Sequence, residues 1–150
     1  MARYVAEMNR TASTTLSVGS VNAAAASQRR LKVYDFLFGS EATPADNAFL
    51  WQAQRCTTAG TATSVTPLAL DPADAAAVST ASENHTVDPT LTGGAILLSI
   101  ALNQRASFRW VAAPGGELVI PATASNGIAF RTPTAGGLVA VTATVHFEEQ

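Results

Sequence analysis

The stretch RASFRWVAAPGGELVIPATASNGIAF, Arg105–Phe130, decides the fold because short apolar runs alternate in it with glycine-containing breaks. Pro114-Gly115-Gly116 and Asn126-Gly127 are combinations typical of turns. A glycine-rich phosphate loop must open a helix, whose N-terminus supplies the amide donors. Here the glycines lead into Glu117–Ile120, a strand-like run that ends at Pro121. The stretch therefore predicts strands joined by turns and not a ligand loop.

Similar runs, most of them bounded by turn residues, extend over most of the chain. Pro67 interrupts one of them, which is typical of an edge strand. The last run alternates apolar and polar residues after an Ala135-Gly136-Gly137 turn, as a half-buried antiparallel strand requires. We expect an all-β antiparallel β-sandwich or jelly roll of about eight strands. The predicted strands are Leu31–Phe38, Phe49–Thr57, Val65–Leu70, Ala95–Asn103, Ser107–Ala112, Glu117–Ile120, Ile128–Arg131 and Leu138–Phe147.

Two segments depart from this strand pattern. Asp71-Pro72-Ala73-Asp74 predicts the start of one short helix, with Asp71 as the N-cap and Pro72 at the first helical position. Residues 1–28 are rich in Thr, Ser and Ala and show no sustained period. We expect them to form an extended N-terminal arm that helps attach the protein to a partner, followed by a single domain over residues 29–150.

Composition and charge narrow the classes of function. The chain has 150 residues and a net charge of −2, and its basic cluster Arg29-Arg30 with Lys32 is too short for a nucleic-acid footprint. No apolar run approaches the roughly 18 residues of a membrane span. The start of the chain has no apolar signal region, so synthesis in the cytoplasm is expected. The single cysteine, Cys56, has no partner for an intrachain disulfide and is interpreted as a small packed side chain.

The residues that carry enzyme chemistry are sparse. His85 and His146 are isolated, and we interpret His85 as a solvent-facing loop residue and His146 as a polar-face strand residue. They cannot supply the converging histidines of a metal site. No Gly-x-Ser-x-Gly sequence occurs. We predict no enzyme, no metal and no cofactor, because the acidic residues occupy turns, the helix start or the C-terminus, at Asp46, Asp71, Asp74, Asp88, Glu148 and Glu149.

Low charge instead favours a protein that works by contact. Charged residues make up only 13% of the chain, and a weakly charged surface is poorly protected against association. Arg109 and Arg131 lie within predicted strands, where a long cationic side chain must pair, stack or face an interface. We interpret Trp51 and Trp110 as core or interface residues. The predicted interface residues are Tyr4, Met8, Arg29, Arg30, Arg105, Arg109, Trp110 and Arg131.

Three blocks of sequence carry a resemblance: RRLKVYDFLFGSEATPADNAFLWQAQR, VTPLALDPAD and ALNQRASFRWVAAPGGELVIPATASNGIAFR. Over residues 29–148 the chain resembles the small capsid decoration (cement) proteins of tailed double-stranded DNA phages. This resemblance implies a jelly roll that assembles as a homotrimer on the outer surface of the capsid. The implied partners are copies of itself and the lattice of the major capsid protein, and the implied location is the virion. The family implies no active site.

Three alternatives remain open from the sequence. The first is another virion component, such as a phage tail or fibre module. A carbohydrate-binding jelly roll would use Trp51 or Trp110 as a platform for a sugar ring. A hydrolase with a cryptic serine or carboxylate site would show converging polar groups in a pocket.

Overall fold

The computed structural model describes residues 1–134 and 139–150, which form two antiparallel sheets. The first, sheet A, has the strand order β10-β3-β12-β1-β6, with β9 also paired to β3; the second, sheet B, has the order β5-β7-β2-β11-β4-β8. The predicted Ala135-Gly136-Gly137 turn and Leu138 lie outside the described residues. The strands are β1 (Arg3–Thr11), β2 (Gly19–Asn22), β3 (Leu31–Ser40), β4 (Ala48–Cys56), β5 (Thr61–Val65), β6 (Leu68–Ala69), β7 (Thr80–Val87), β8 (Leu91–Asn103), β9 (Phe108–Val111), β10 (Leu118–Ile120), β11 (Gly127–Thr134) and β12 (Ala140–Glu149).

The inner faces of the two sheets share one apolar core. Phe36 of β3 packs on Phe130 of β11 with ring centroids 4.5 Å apart, and Phe38 of β3 packs on Trp51 of β4 at 4.6 Å. Strand β12 buries every second side chain, which is the alternation predicted for the last strand. The prediction of an antiparallel β-sandwich is therefore confirmed, while the expected number of about eight strands is corrected, because the described residues form twelve.

The prediction of an N-terminal arm is corrected by the structure. β1 lies between β12 and β6 in sheet A, and β2 lies between β7 and β11 in sheet B. Tyr4, Ala6 and Met8 of β1 are buried, so this strand contributes one side of the core. The alternation was hidden because small and hydroxylated residues dominate residues 1–28, which weakens the period-two signal. Residues 1–28 belong to the sandwich, and their removal would take away inner strands of both sheets.

The predicted helix at Asp71 is also corrected, because the segment forms a turn. Asp71 does act as a local cap: its Oδ1 accepts a hydrogen bond from the backbone N–H of Ala73 at 2.9 Å. Its carbonyl accepts from the N–H of Asp74 at 3.0 Å. The turn does not propagate, and the residues that would continue the helix lead instead into strand β7, which the sequence did not predict.

Tertiary hydrogen bonds explain why this segment stays extended. The Tyr4 hydroxyl donates to the carbonyl of Ala75 at 3.0 Å. The backbone N–H of Ser79 donates to the Glu149 carboxylate at 2.7 Å, and that of Val78 does so at 3.2 Å. A run of about two helical turns is marginal by itself, so these bonds outweigh it. Glu149, expected to be solvated, is buried for this reason.

Gly127 is the first residue of β11. Packing, and not a turn conformation, requires a glycine at this position. A Cβ atom at Gly127 would collide with the side chain of Asn22 and the carbonyl of Val21 on the adjacent strand β2. The Asn22 amide is itself held there, because its Nδ2 donates to the carbonyl of Ser125 at 2.9 Å. The predicted Asn126-Gly127 break is therefore a close approach of two strands.

We predict that Gly127→Ala lowers the free energy of unfolding by about 1–3 kcal/mol, the usual cost of overpacking a buried site. Gly93→Ala is the matched control, since a Cβ there has no atom within 4 Å, and it should change stability by less than about 0.5 kcal/mol. Urea denaturation of both variants measures the difference. Equal stability of the two variants would contradict the close-approach explanation.

Candidate functional site

One lateral edge of the sandwich combines two unpaired strand edges with a crossover between the sheets. β8 is the last strand of sheet B and pairs with β4, and β9 pairs with β3 at the border of sheet A. Residues 104–107 carry the chain from one to the other. We call β8, β9 and this crossover the β8–β9 edge. Among the described strands neither has a second neighbour, so each presents free backbone N–H and C=O groups.

The crossover is held in place by the loop between β3 and β4. Gln104 is buried, its backbone N–H donates to the carbonyl of Asn47 at 2.9 Å, and its Oε1 accepts from the N–H of Ala45 at 3.0 Å. Asn103 Nδ2 donates to Asp46 Oδ1 at 2.6 Å. These contacts set the position of the β8–β9 edge relative to the core.

Apolar side chains are exposed along this edge. Ile96, Phe108 and Val111 have exposed fractions of 44%, 40% and 57%. The ring of Phe108 lies 5.6 Å from that of the buried Phe38, so the exposed apolar surface is continuous with the core. β8 contains no charged residue and no proline from Leu91 to Asn103, although these are the residues that usually prevent another strand from adding to an edge.

An ion pair anchors the outer face of the same edge. Arg109 Nε donates to Asp35 Oδ1 at 3.0 Å and to Oδ2 at 3.2 Å, and Arg109 Nη2 also contacts Oδ2. The hydrogen bonds to Asp35, and then its charge, raise the pKa of Arg109. His146 Nδ1 lies 3.8 Å from Asp35 Oδ2. Arg109 remains largely exposed while Asp35 is buried, so the guanidinium is held in one orientation at the surface.

A groove of about 410 Å³ lies beside Arg109 on the outer face of sheet A. Gly39 has no side chain to fill it, and the buried Thr142 Oγ1 has no hydrogen-bond partner there. Its size is that of a small-ligand pocket or of a site for one partner side chain. The groove is lined by Leu37, Phe38, Gly39, Ser107, Phe108, Arg109, Thr142 and Thr144.

Three of the predicted interface residues come together at the β8–β9 edge. Arg105 is exposed in the crossover, and Arg109 and Trp110 are neighbours in β9. Trp110 is half-buried against the core and pairs with Phe36, so it faces inwards while Arg109 faces outwards. The structure thus brings these three residues to one edge, and their role at an interface stays a prediction.

The other predicted residues lie elsewhere. Tyr4 and Met8 are core residues, with exposed fractions of 2% and 0%, so the monomer cannot present them to a partner and their assignment to an interface is corrected. Arg29 and Arg30 are exposed just before β3. Arg131 lies in β11, where its Nη1 donates to Gln54 Oε1 at 3.0 Å, within one subunit.

The opposite lateral edge, formed by β5 and β6, was missed as a site. Leu68, Leu70 and Val87 there have exposed fractions of 63%, 48% and 58%. Val87 is at the end of β7, opposite Thr61 of β5. The Pro67 interruption did predict an edge strand, and β6 is at the border of sheet A. The predicted strand Val65–Leu70 left out most of β5, because the residues of Thr61–Val65 are mostly small and polar.

His85 was expected in solvent and is fully buried in β7. Its Nε2 lies 3.2 Å from the carbonyl oxygen of Ala59, 3.4 Å from Ser20 Oγ and 3.3 Å from Ser82 Oγ. The segment containing Ala59 thus lies over His85. Burial lowers the pKa of His85, which disfavours the imidazolium form. The neutral ring is part of a buried polar layer with Ser20 and Ser82.

We predict that His85 makes the fold acid-sensitive. Its folded pKa is below the usual 6.5, so the unfolded chain binds more protons as the pH falls below 6.5. The contribution of His85 is complete above that pH and is lost below it, with a slope of at most about 1.4 kcal/mol per pH unit. Urea unfolding at pH 7.5, 6.5 and 5.5 should show a steeper loss in the wild type than in His85→Gln. Parallel pH profiles would rule out this role.

The chemistry available elsewhere is limited. Within residues 1–134 and 139–150 no group of three or more His, Cys, Asp or Glu side chains is placed to hold a metal ion. Burial raises the pKa of Cys56 to about 11, so its thiol stays protonated at neutral pH. Trp51 is 1% exposed and cannot serve as a sugar platform. No helix in the described ranges is long and apolar enough to span a membrane.

In comparisons with known proteins, no family model, curated protein or solved structure matches the chain. The functional interpretation therefore depends on the surface described above and on the resemblance of residues 29–148.

Proposed function

We propose that this chain is a structural virion protein that forms a homotrimer and binds the outer surface of an assembled phage capsid. The observation that carries the proposal is the β8–β9 edge, where uncharged, unpaired β8 adjoins exposed Phe108 and Val111. A surface of this kind is typical of proteins that work in contact with others. The resemblance to capsid decoration proteins supplies the kind of assembly, the jelly-roll class of the sandwich and the location in the virion.

The edge has the composition of a protein interface. Phe108 and Val111 supply apolar area, and Arg105 and Arg109 provide a polar rim. Interfaces commonly have this arrangement, with arginine and aromatic residues enriched. Because Asp35 already holds the Arg109 guanidinium in position, little side-chain freedom would be lost on binding.

The proposed activity is stabilisation of the shell by binding across neighbouring capsid subunits. A protein that binds the assembled lattice but not free subunits shifts the equilibrium towards the lattice by mass action. At a free concentration one hundred times the Kd, this amounts to about 2.7 kcal/mol per site. The activity needs a rigid surface and no reacting group.

The second candidate is a carbohydrate-binding tail or fibre module, and the groove beside Arg109 is the observation that favours it. Leu37 offers an apolar side chain at one wall, and Arg109 and Ser107 offer hydrogen-bond donors. Trp110 contributes little, because it faces the core. A glycan would therefore bind in the groove beside Arg109, and not on Trp51 or Trp110 as the sequence suggested.

We expect the purified protein to co-sediment with assembled shells of the phage whose genome encodes it. It should not bind free capsid subunits. Val111→Asp should weaken shell binding at least about tenfold, since a carboxylate would be buried without a partner. Thr14→Asp, in an exposed turn between β1 and β2, is the charge-matched control.

Electron microscopy of the same particles separates the two candidates. Density on the outer shell supports capsid decoration. Density confined to the tail, together with glycan-array binding that is lost in Arg109→Gln, would overturn it in favour of the carbohydrate-binding module. Wild-type protein that stays in the supernatant with intact shells would also refute capsid binding.

A further inference from the structure

The exposed large apolar side chains are divided between two opposite edges of the molecule. The described residues expose seven such side chains, and Met1 is the one that lies on neither edge. Ile96, Phe108 and Val111 are at the β8–β9 edge. The other three, at the edge formed by β5 and β6, are Leu68, Leu70 and Val87. A monomer in water would leave both sets exposed.

The strand edges of the two sheets are protected very differently. In sheet A, β6 has two residues and follows Pro67, β10 has three residues and precedes Pro121, and β9 contains Arg109. Short length, proline and charge are the features that prevent a further strand from adding. In sheet B, both outer strands, β5 and β8, contain no charged residue and no proline. The two unprotected edges thus belong to one sheet.

The direction of the strands makes these two edges complementary. Every neighbouring pair in the order β5-β7-β2-β11-β4-β8 is antiparallel, so β5 and β8 run in opposite directions. A second copy, related by rotation about an axis parallel to the strands, therefore presents its β5 antiparallel to β8. The regular part of β8, Leu98–Asn103, and the five residues of β5 are similar in length.

We propose that copies of this chain join head to tail, with β8 of one copy pairing antiparallel with β5 of the next. Sheet B then continues across the boundary, and the two apolar sets approach each other. In a closed ring the strand edges that stay unpaired are the protected ones of sheet A, whereas a twofold β8–β8 dimer would leave both β5 strands unpaired. The β8–β5 pairing follows from the two strand edges. Only the number of copies in the ring, three, rests on the proposed function.

One lysine on each edge tests the pairing. Ala101 of β8 and Thr63 of β5 are exposed, and a lysine at either position places a charge where the partner strand would pack. Ala101→Lys and Thr63→Lys should each raise the concentration for half-assembly at least about tenfold in sedimentation analysis. Asn9→Lys is the control, with the same change of charge at an exposed position of β1, a strand of sheet A. Unchanged thermal unfolding would show that the variants fold.

Mixing the two variants gives the decisive result. Ala101→Lys retains an intact β5 and Thr63→Lys an intact β8, so an equimolar mixture should form a one-to-one heterodimer that neither variant forms alone. Loss of assembly in Ala101→Lys alone would point to a β8–β8 dimer and overturn the proposal. Unchanged assembly in both variants, or a wild type that stays monomeric, would overturn it too. Shell binding by the wild-type protein, measured separately, reports on the proposed function whatever the outcome.

Discussion

The contact of Phe36 and Phe38 on β3 with Phe130 and Trp51 on sheet B joins the two layers of the molecule. Close packing of these rings sets the alignment of β3 with β4 and β11, and the other strands extend from that centre. This ring packing also fixes the positions of the outer strands β9 and β8, because β9 pairs with β3 and β8 pairs with β4. The buried ring of Phe38 reaches the border of this core. Phe108 packs on that ring and is therefore partly in contact with the core and partly in solvent.

The same constraint connects the fold with the proposed role. Two sheets packed face to face must end in edges, and each edge strand leaves backbone groups without a partner. Sheet A ends in short strands, prolines and a paired arginine, while sheet B ends in two uncharged strands. This asymmetry is the reason why the proposed assembly runs along sheet B. The polar layer of His85, Ser20 and Ser82 lies within the sandwich and serves stability, whereas the proposed role depends on the outer surface.

Sequence reasoning succeeded where the local signal was strong. Runs with bulky apolar residues, such as Leu31–Phe38 and Phe49–Thr57, were found as β3 and β4. It failed in residues 1–28, because Ala, Ser and Thr carry little hydrophobic contrast and β1 and β2 are stabilised by neighbours distant in sequence. At Asp71 the local cap was real, yet bonds to Tyr4 and Glu149 outweighed the short helix. Arg109 was found because a cation within a strand must have a partner, although its partner, Asp35, was not foreseen.

The sequence by itself determined the all-β class, the turns of Arg105–Phe130 and the low surface charge, since each depends on residue types that lie next to one another. Only the tertiary structure decided which strands are central and which are edges, because strand order depends on pairings between residues far apart in the chain. Burial of Met8 and His85 was decided in the same way, by segments that fold over them. The position of the unprotected edges follows from strand order, and no local pattern of residues carries that information.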